Sequence, residues 1–255
     1  MAIVVAFANQ KGGVAKTSSA LALGQILVRA RKKVLFVDMD PQGNLFHTLR
    51  AEPEKGTVFD VLSKNKIVIE AIQTTYSGDC LCYSSSLAGT DKTLDGIGKE
   101  FLLKEALEKI ADQYNYIIID PPPALGLLTI NTLAATQYLI IPAQADIYSL
   151  QGIGQIFLTI ESVKKYCNPD LHVAGILITR FNAKTNISRE ISGMMEDTAN
   201  KLQTKVFNAR IRDCVSVKEA EAGRVDLFSY APKCNASLDY CEFIKEFIGD
   251  IHGGT

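Results

Sequence analysis

Two lysines, two glycines and a threonine lie close together near the start of the sequence, in the stretch Asn9-Gln10-Lys11-Gly12-Gly13-Val14-Ala15-Lys16-Thr17. An apolar run, residues 3–8, precedes this stretch, and a helical pattern begins near Thr17. A strand, a glycine-bearing turn and a helix N-terminus direct successive backbone N–H groups at one anion. In such a phosphate loop, Lys16 reaches the β- and γ-phosphates of a nucleotide and the Thr17 hydroxyl ligates Mg²⁺.

The stretch departs from the usual Gly-x-x-x-x-Gly-Lys-Ser/Thr pattern at two positions. Gln10 and Ala15 stand where that pattern has glycine. A second lysine, Lys11, stands at the front of the loop, although an ordinary phosphate loop uses only one. Ala15 is the more demanding departure, because a residue with a Cβ must then adopt a backbone angle that glycine adopts freely.

Acidic residues end two further apolar runs. Asp38 and Asp40 follow residues 34–37, and Asp120 follows residues 116–119. Open parallel sheets bind their ligands at the carboxyl ends of their strands, so we expect these carboxylates to lie near the phosphate loop. Asp120 is expected to hold Mg²⁺ directly or through water.

The elements that position these residues follow from the alternation of apolar runs and helical patterns. This alternation is typical of an α/β fold with an open, mostly parallel sheet and helices on both faces. Residues 1–255 are expected to form one domain, because no linker, low-complexity tract or repeat interrupts them. Residues 45–98 are interpreted as mainly surface, with short helices near 57–62 and 68–72 and a short strand at 81–83.

Composition excludes several classes of protein. The net charge of −1 rules out a uniformly basic chain but allows the local basic patch that DNA binding requires. No apolar run approaches the roughly 20 residues of a membrane span, and the N-terminus lacks a charged leader. The six cysteines have no C-x-x-C spacing, which favours reduced thiols of a cytosolic protein, with zinc or iron–sulfur ligation as the alternative.

Three motifs occur in one order: Lys11 to Thr17, Asp38-Met39-Asp40-Pro41-Gln42-Gly43-Asn44, and Asp120-Pro121-Pro122-Pro123-Ala124-Leu125-Gly126. Together they resemble the deviant Walker A box, the second acidic signature and the Walker B region of the ParA/MinD family of P-loop ATPases. The resemblance covers essentially the full length of the chain. It implies a P-loop NTPase of the deviant Walker A type with ATP and Mg²⁺ as cofactors.

The resemblance also implies roles for individual residues. Asp40 would orient the attacking water, and Asp38 would support the Mg²⁺ shell together with Thr17 and Asp120. Lys11 would cross a dimer interface to the partner's nucleotide, so that a homodimer sandwiches ATP. The implied cofactor-binding residues are Lys11, Gly12, Gly13, Val14, Ala15, Lys16, Thr17 and Ser18, with Arg212 and Asp213 near the base. The family often has Pro-Arg-Asn where this chain has Arg212-Asp213-Cys214.

The function implied by the resemblance is DNA segregation. A ParA-type partition ATPase of plasmid or chromosome is expected to bind non-specific DNA as an ATP dimer and to be cytoplasmic and nucleoid-associated. Release follows when a centromere-binding ParB-type partner stimulates otherwise weak hydrolysis. The candidate DNA-binding residues are Arg180, Arg189, Arg210, Lys218 and Arg224.

Two rival classes share the same scaffold. A MinD-like positioning ATPase would use residues 243–251 as an amphipathic membrane helix, but Glu242, Glu246 and Asp250 would be repelled by anionic lipid. We therefore expect this last helix to pack on the core, and we expect no membrane partner. A reductase iron protein or an amide-forming ligase would need paired cluster cysteines or a substrate pocket.

Overall fold

A computed structural model describes residues 1–182 and 186–253, without the side chains of residues 186–189. In this part of the chain, the strands are β1 (Ile3–Phe7), β2 (Val34–Asp38), β3 (Ile72–Thr75), β4 (Gly78–Leu81), β5 (Tyr116–Asp120), β6 (Tyr138–Gln144) and β7 (His172–Thr179). The helices are α1 (Lys16–Arg29), α2 (Asn44–Thr48), α3 (Val58–Leu62), α4 (Val68–Ala71), α5 (Thr90–Thr93), α6 (Leu102–Glu108), α7 (Leu127–Ala135), α8 (Ile147–Tyr166), α9 (Asn186–Lys201), α10 (Val215–Ala222), α11 (Leu227–Tyr230) and α12 (Asn235–Gly253). Three 3₁₀ turns are Ser85–Gly89, Lys99–Phe101 and Ala111–Gln113.

The strands form one sheet in the order β3-β4-β2-β5-β1-β6-β7. Every neighbouring pair is parallel except β3 and β4, which are antiparallel. All residues of β2 and β5 are buried, which explains why these strands read as apolar runs without alternation. The predicted α/β fold with a mostly parallel sheet is confirmed.

Helices cover both faces of the sheet. Along β1, Val4 and Ala6 enter a core layer with α3, α4 and α6 to α9, whereas Val5 and Phe7 enter a second layer with α1, α2 and α10 to α12. This division follows from the period of two in a strand, which points successive side chains to opposite faces. Between these two layers, β5 pairs with both β1 and β2, so the carboxyl ends of the three strands lie side by side.

The interpretation of residues 45–98 as mainly surface was wrong. Leu45, Leu81 and Leu87 are buried in the core, and the antiparallel β3–β4 pair extends the sheet at one edge. Ile72 begins β3, although the sequence placed it in a helix. The elements here have only four or five residues, which is too short to show a helix or strand period.

The bounds of two helices differ from the prediction for identifiable reasons. The amphipathic pattern of residues 100–112 predicts one helix, but only α6 is α-helical, with 3₁₀ turns on both sides. The sequence predicts a helix over 149–166, whereas α8 begins at Ile147. The Asp146 carboxylate caps it there by accepting a hydrogen bond from the Ser149 amide at 2.9 Å.

The last helix, α12, packs on the core as expected. Phe243 and Phe247 are completely buried, and Phe207 lies edge-on to both rings. Its acidic face is used within the chain, because Glu246 accepts hydrogen bonds from Lys205 and from the Asn208 amide. None of the helices in the described part of the chain is long and apolar enough to cross a membrane.

Candidate nucleotide site

A cleft of about 590 Å³ lies at the carboxyl edge of the sheet. The phosphate loop and the first turn of α1 form its floor, and Asp40 and Pro123 line it from the ends of β2 and β5. Residues 211–214, 217, 218, 221 and 240 form much of the wall. The structure therefore brings the loop lysine, the acidic turn and the segment expected near the base to one site.

Side chains from neighbouring elements hold the phosphate loop in place. Three hydrogen bonds end on backbone carbonyls: Asn9 Nδ2 to Pro142 at 2.7 Å, Thr179 Oγ1 to Val14 at 3.0 Å and Gln144 Nε2 to Gly13 at 2.9 Å. The Asn9 side chain also accepts a hydrogen bond from the Lys11 amide at 3.0 Å. Two of these bonds end on the loop carbonyls of Gly13 and Val14, and the Asn9 side chain ties the front of the loop to β6, so contacts within the chain hold the loop conformation.

The backbone of the loop twice enters the left-handed region. Gly13 has φ +74°, and Ala15 has φ 62° and ψ 35°. Ala15 thus adopts the conformation that the glycine of the usual pattern adopts, at a cost of about 1–2 kcal/mol for a residue with a Cβ. A Cβ added at Gly12 or Gly13 would meet no atom within 4 Å, so the space above the loop is open to a phosphate.

Lys16 is a largely buried cation at the floor of the cleft, 8% exposed. Its Nζ donates a hydrogen bond to the Lys11 carbonyl at 3.3 Å. Burial lowers the pKa of Lys16, whereas the charges of Asp120 and Asp40 oppose the shift. The Lys16 ammonium group therefore lies between the loop and the acidic ends of β2 and β5. A polyphosphate bound in the loop would give it a further anionic partner.

The Thr17 hydroxyl and Asp120 form a pair that fits a magnesium ion. Thr17 Oγ1 donates a hydrogen bond to Asp120 Oδ2 at 2.6 Å. Asp120 is 1% exposed, and its Oδ1 has no hydrogen-bond partner in the described part of the chain. Burial raises the pKa of Asp120 to about 7, although Thr17 and Lys16 act to lower it. A buried carboxylate oxygen without a partner is a ready ligand for a hard cation.

Among the described residues, no cluster of three or more His, Cys, Asp or Glu side chains could hold a metal by itself.

Asp38 and Asp40 have different surroundings although they are two residues apart. Asp38 pairs in register with Asp120 and is completely buried, and its carboxylate accepts hydrogen bonds from the amides of Asp40 at 3.2 Å and Phe46 at 2.8 Å. Burial, followed by the nearby Asp120 charge, raises the pKa of Asp38 well above its usual range. Asp40 lines the cleft instead, and its Oδ1 accepts a hydrogen bond from the Gln42 amide at 3.0 Å.

The second lysine of the loop bonds within its own chain. Lys11 Nζ lies 2.5 Å from Asp146 Oδ2 and 3.4 Å from Ser149 Oγ, both at the start of α8. Burial acts to raise the pKa of Asp146, but hydrogen bonds from Lys11 and Ser149 lower it overall. This ion pair is about one-third exposed, so solvent can compete for it.

The two residues expected near the base both line the cleft, but their charges have partners. Arg212 donates three side-chain hydrogen bonds to the Asp239 carboxylate of α12, from Nε at 2.9 and 3.2 Å and from Nη2 at 2.6 Å. Asp213 accepts a hydrogen bond from Arg180 at 3.3 Å. A bidentate ion pair with Asp239 therefore holds the Arg212 guanidinium against α12.

The sequence did not reveal Glu221 and Tyr240 as residues of the cleft wall. Ser18 Oγ donates a hydrogen bond to Glu221 Oε1 at 2.5 Å, and burial raises the pKa of Glu221. The Tyr240 hydroxyl lies 3.2 Å from Ser19 Oγ. Both contacts join α1 to the last sixty residues of the chain, and no local pattern marks either residue.

The candidate DNA-binding residues lie in different surroundings. Arg180 and Lys218 line the nucleotide cleft itself. Arg210 is paired with Glu196 at 3.3 Å, and Arg224 has φ 51° with its carbonyl bonded to Arg50. The side chain of Arg189 lies outside the described residues.

Comparisons with known proteins point to one family. A sequence family described as an AAA domain matches residues 2–173. The sporulation initiation inhibitor protein Soj of Bacillus subtilis is 36% identical over 96% of this chain and 98% of its own length. The chromosome partitioning protein ParA of Myxococcus xanthus is 37% identical over 84% of this chain and 78% of its own length.

A solved structure of similar fold contains ADP and magnesium. Cobyrinic acid a,c-diamide synthase of Mycobacterium smegmatis, with bound ADP and magnesium, superposes with a TM-score of 0.86. It is 33% identical, and the match covers 100% of this chain and 97% of that one.

Proposed function

The chain belongs to the ParA/Soj family of partition ATPases, and we propose that it is an ATP-driven dimer switch that binds and releases DNA. It is an ATPase that uses ATP and Mg²⁺. We propose that residues 1–255 act as one P-loop ATPase domain. The observation that carries the proposal is the second loop lysine, Lys11, held 2.5 Å from Asp146 at the rim of a preformed phosphate loop.

The loop supplies the binding energy for the phosphates. Its backbone N–H groups and the N-terminus of α1 stabilise negative charge, and buried Lys16 supplies a cation at the β- and γ-phosphates. Thr17 and Asp120 would hold Mg²⁺, with Asp38 behind them as a support for the turn. When bound, the ion neutralises charge on the phosphates.

Asp40 is the residue proposed to orient the attacking water. It lines the cleft, and the Gln42 amide fixes one of its oxygens. The other oxygen would accept a hydrogen bond from a water molecule placed in line with the γ-phosphate. The contribution of Asp40 is positional, because phosphoryl transfer depends on orientation and electrostatic stabilisation more than on covalent chemistry.

Lys11 is proposed to join two subunits. Its ion pair with Asp146 is partly solvated, so exchange of that carboxylate for the phosphates of a partner's ATP would cost little. Two Lys11 residues related by a two-fold axis would then reach across one interface, as isologous contacts require. Because ATP would bind the dimer and not the monomer, it would shift the monomer–dimer equilibrium towards the dimer by mass action.

The ATP dimer is proposed to bind non-specific DNA, which makes the protein a partition switch of the nucleoid. Dimerisation doubles the number of lysines and arginines that contact phosphates, and each contact adds salt-dependent affinity. Arg210, Arg224 and Arg189 remain the candidates, and Arg180 and Lys218 are assigned to the cleft instead. A ParB-type partner bound to a centromere would stimulate hydrolysis and release the dimer.

Static light scattering with ATP, ADP and no nucleotide tests this function at the level of the dimer. The wild-type protein should dimerise with ATP alone, whereas Lys11→Gln should stay monomeric. Lys92→Gln, at an exposed lysine in α5, is the matched control and should dimerise normally. A dimer of Lys11→Gln with ATP would show that Lys11 is only a solvated loop residue.

Co-sedimentation with DNA and with anionic liposomes separates the proposal from the membrane-switch alternative. With ATP, the protein should sediment with DNA and not with liposomes, because the apolar side of α12 is buried. Binding to liposomes but not DNA would overturn the partition function.

The diamide synthase comparison makes an amide-forming ligase the second candidate. Such an enzyme needs a second substrate beside the γ-phosphate. Two further clefts of about 420 Å³ lie elsewhere, one beside α3, α4 and α6 and one beside β2 and Tyr114. Hydrolysis of ATP without any added carboxylate substrate, stimulated by DNA and a partner, would favour the switch over the ligase.

A further inference from the structure

One arginine joins the ends of two helices of the nucleotide cleft. Both helices line the cleft, α2 with residues 44, 47 and 48 and α10 with residues 217, 218 and 221. Arg50, which lies two residues beyond α2, donates hydrogen bonds from Nε to the Arg224 carbonyl at 2.8 Å and from Nη2 to the Gly223 carbonyl at 3.2 Å. Its side chain therefore ties the end of α2 to the end of α10, although Gly223 lies 173 residues further along the chain.

The two helices end in the same backbone motif. A residue in the left-handed conformation follows the helix, and its amide and the next amide donate hydrogen bonds back to the last turn. After α2 these two residues are Arg50, with φ 53°, and Ala51. After α10 they are Arg224, with φ 51°, and Val225. Glycine is the usual residue at the left-handed position, so each motif has a long cationic side chain where most helices have none.

The motif alone does not single out Arg50. Arg31, with φ 61°, has the same place after α1, and its side chain makes no hydrogen bond or ion pair within the described part of the chain. The Arg50 guanidinium differs because both of its bonds end on carbonyls at the C-terminal end of another helix. The negative end of the helix dipole favours a cation there, and a planar guanidinium can donate to two acceptors at once.

The Arg224 guanidinium is available to an anionic ligand. Arg224 is exposed and has no ion-pair partner among the described residues, whereas Arg210 is paired with Glu196 at 3.3 Å. The direction of the Arg224 side chain follows from its left-handed backbone, and Arg50 holds the two carbonyls of that turn. Arg50 therefore fixes the place of an unpaired cation without using the donors of that cation.

We propose that Arg50 is a positioning residue for DNA binding, which holds the turn of Arg224 against α2 so that the Arg224 guanidinium can contact a phosphate. The consequence for DNA rests on the proposed function of the chain, whereas the tie between the two helices does not. Arg50 itself does not contact the DNA.

The tie also connects Arg224 to the nucleotide. The Phe46 amide of α2 donates a hydrogen bond to Asp38 Oδ2 at 2.8 Å, so α2 is fixed to the acidic end of β2. A nucleotide that contacts α2 would therefore act on the turn of Arg224 through Arg50. By reciprocity, DNA bound at Arg224 would favour the nucleotide-bound position of α2.

Limited proteolysis of the full-length protein with trypsin tests the tie without DNA. Mass spectrometry follows cleavage after Arg224, whose carbonyl Arg50 holds. Arg50→Ala should be cut there about five- to tenfold faster than the wild type, because the turn opens more often. Arg31→Ala is the matched control, since it also removes an exposed, left-handed arginine after a helix, and it should be cut at the wild-type rate. Equal rates for Arg50→Ala and the wild type would overturn the inference.

A double-mutant cycle tests the consequence for DNA. Fluorescence anisotropy with ATP and a non-specific duplex should show that Arg50→Ala and Arg224→Ala each bind about three- to tenfold more weakly than the wild type, and that Arg31→Ala binds normally. Because Arg50 acts through Arg224, the double variant should bind no more weakly than Arg224→Ala. Losses that multiply in the double variant would show that Arg50 is a DNA contact in its own right and would refute its positioning role.

Light scattering with ATP separates the positioning role from an effect on the dimer. Arg50→Ala should dimerise as the wild type does, and loss of its dimer would contradict an effect through Arg224. A different result would refute the function and not the tie: a wild-type protein that does not bind DNA with ATP, although Arg50→Ala still speeds cleavage after Arg224.

Discussion

Replacement of Ala15 by glycine should stabilise the protein. Ala15 has φ 62° and ψ 35°, a left-handed conformation that costs a residue with a Cβ about 1–2 kcal/mol. Glycine removes this cost but adds freedom to the unfolded chain, which lowers stability by roughly 0.4–1 kcal/mol. The difference is a gain of about 0.5–1 kcal/mol, or a rise in Tm of about 1–3 °C for a chain of this length.

The strain should act on stability and not on affinity. Ala15 has the left-handed conformation in a loop that is held by hydrogen bonds from Gln144 and Thr179 to the carbonyls of Gly13 and Val14. Because these bonds are made within the chain, we expect the cost of the left-handed conformation to be part of the free energy of folding and not of nucleotide binding. The dissociation constant of ADP for Ala15→Gly should stay within about twofold of the wild-type value.

Differential scanning calorimetry of the nucleotide-free protein measures the effect. Ala222→Gly is the matched control, because Ala222 is exposed at the end of α10 and lies outside the left-handed region. That exchange should lower Tm, since glycine is unfavourable in a helix by up to about 1 kcal/mol. A lower Tm for Ala15→Gly, similar to that of the control, would refute the reasoning.

Three further predictions concern charged residues of the cleft. Asp40→Ala should keep ATP-dependent dimerisation but lose turnover in a phosphate-release assay; normal hydrolysis would remove the role given to Asp40. Asp146→Asn keeps a capping side chain for α8 but weakens the ion pair that holds Lys11 within its own chain. Light scattering should therefore detect the ATP dimer at lower protein concentration than for the wild type. A dimer that forms only at higher concentration would contradict this prediction. Burial raises the pKa of Asp120 to about 7, so the native nucleotide-free protein retains a proton that the unfolded chain has lost, and this contribution to stability falls as pH rises from about 4 to 7. The Tm of Asp120→Asn minus that of wild type should grow over this range, whereas a constant difference would mean that Asp120 titrates normally.

The parts of the site that lie close in sequence could be predicted. The strand β1, the loop and helix α1 are continuous, and the apolar runs before Asp38 and Asp120 are long enough to be recognised as buried strands. Parallel strands end at the same edge, so the meeting of these residues followed from the fold class alone. The sequence required that Ala15, with its Cβ, adopt a backbone angle that glycine adopts freely. The structure shows that Ala15 does adopt this left-handed angle.

The parts of the site that depend on distant contacts could not be predicted. The contacts between Lys11 and Asp146, and between Ser18 and Glu221, join residues far apart in the chain. An acid in a helix carries no local sign that it will face a phosphate loop. The edge hairpin of β3 and β4 was missed for another reason, because strands of four residues show no clear period.

Binding of Asp40→Ala to a non-specific DNA duplex, followed by fluorescence anisotropy against protein concentration, tests the switch most directly. This variant should not hydrolyse ATP, so the ATP-bound state is stable during the titration. With ATP, binding should be cooperative in protein, as dimerisation requires, and should weaken steeply with salt; with ADP, it should be at least about tenfold weaker. Equal affinity for DNA with ATP and with ADP would contradict the account.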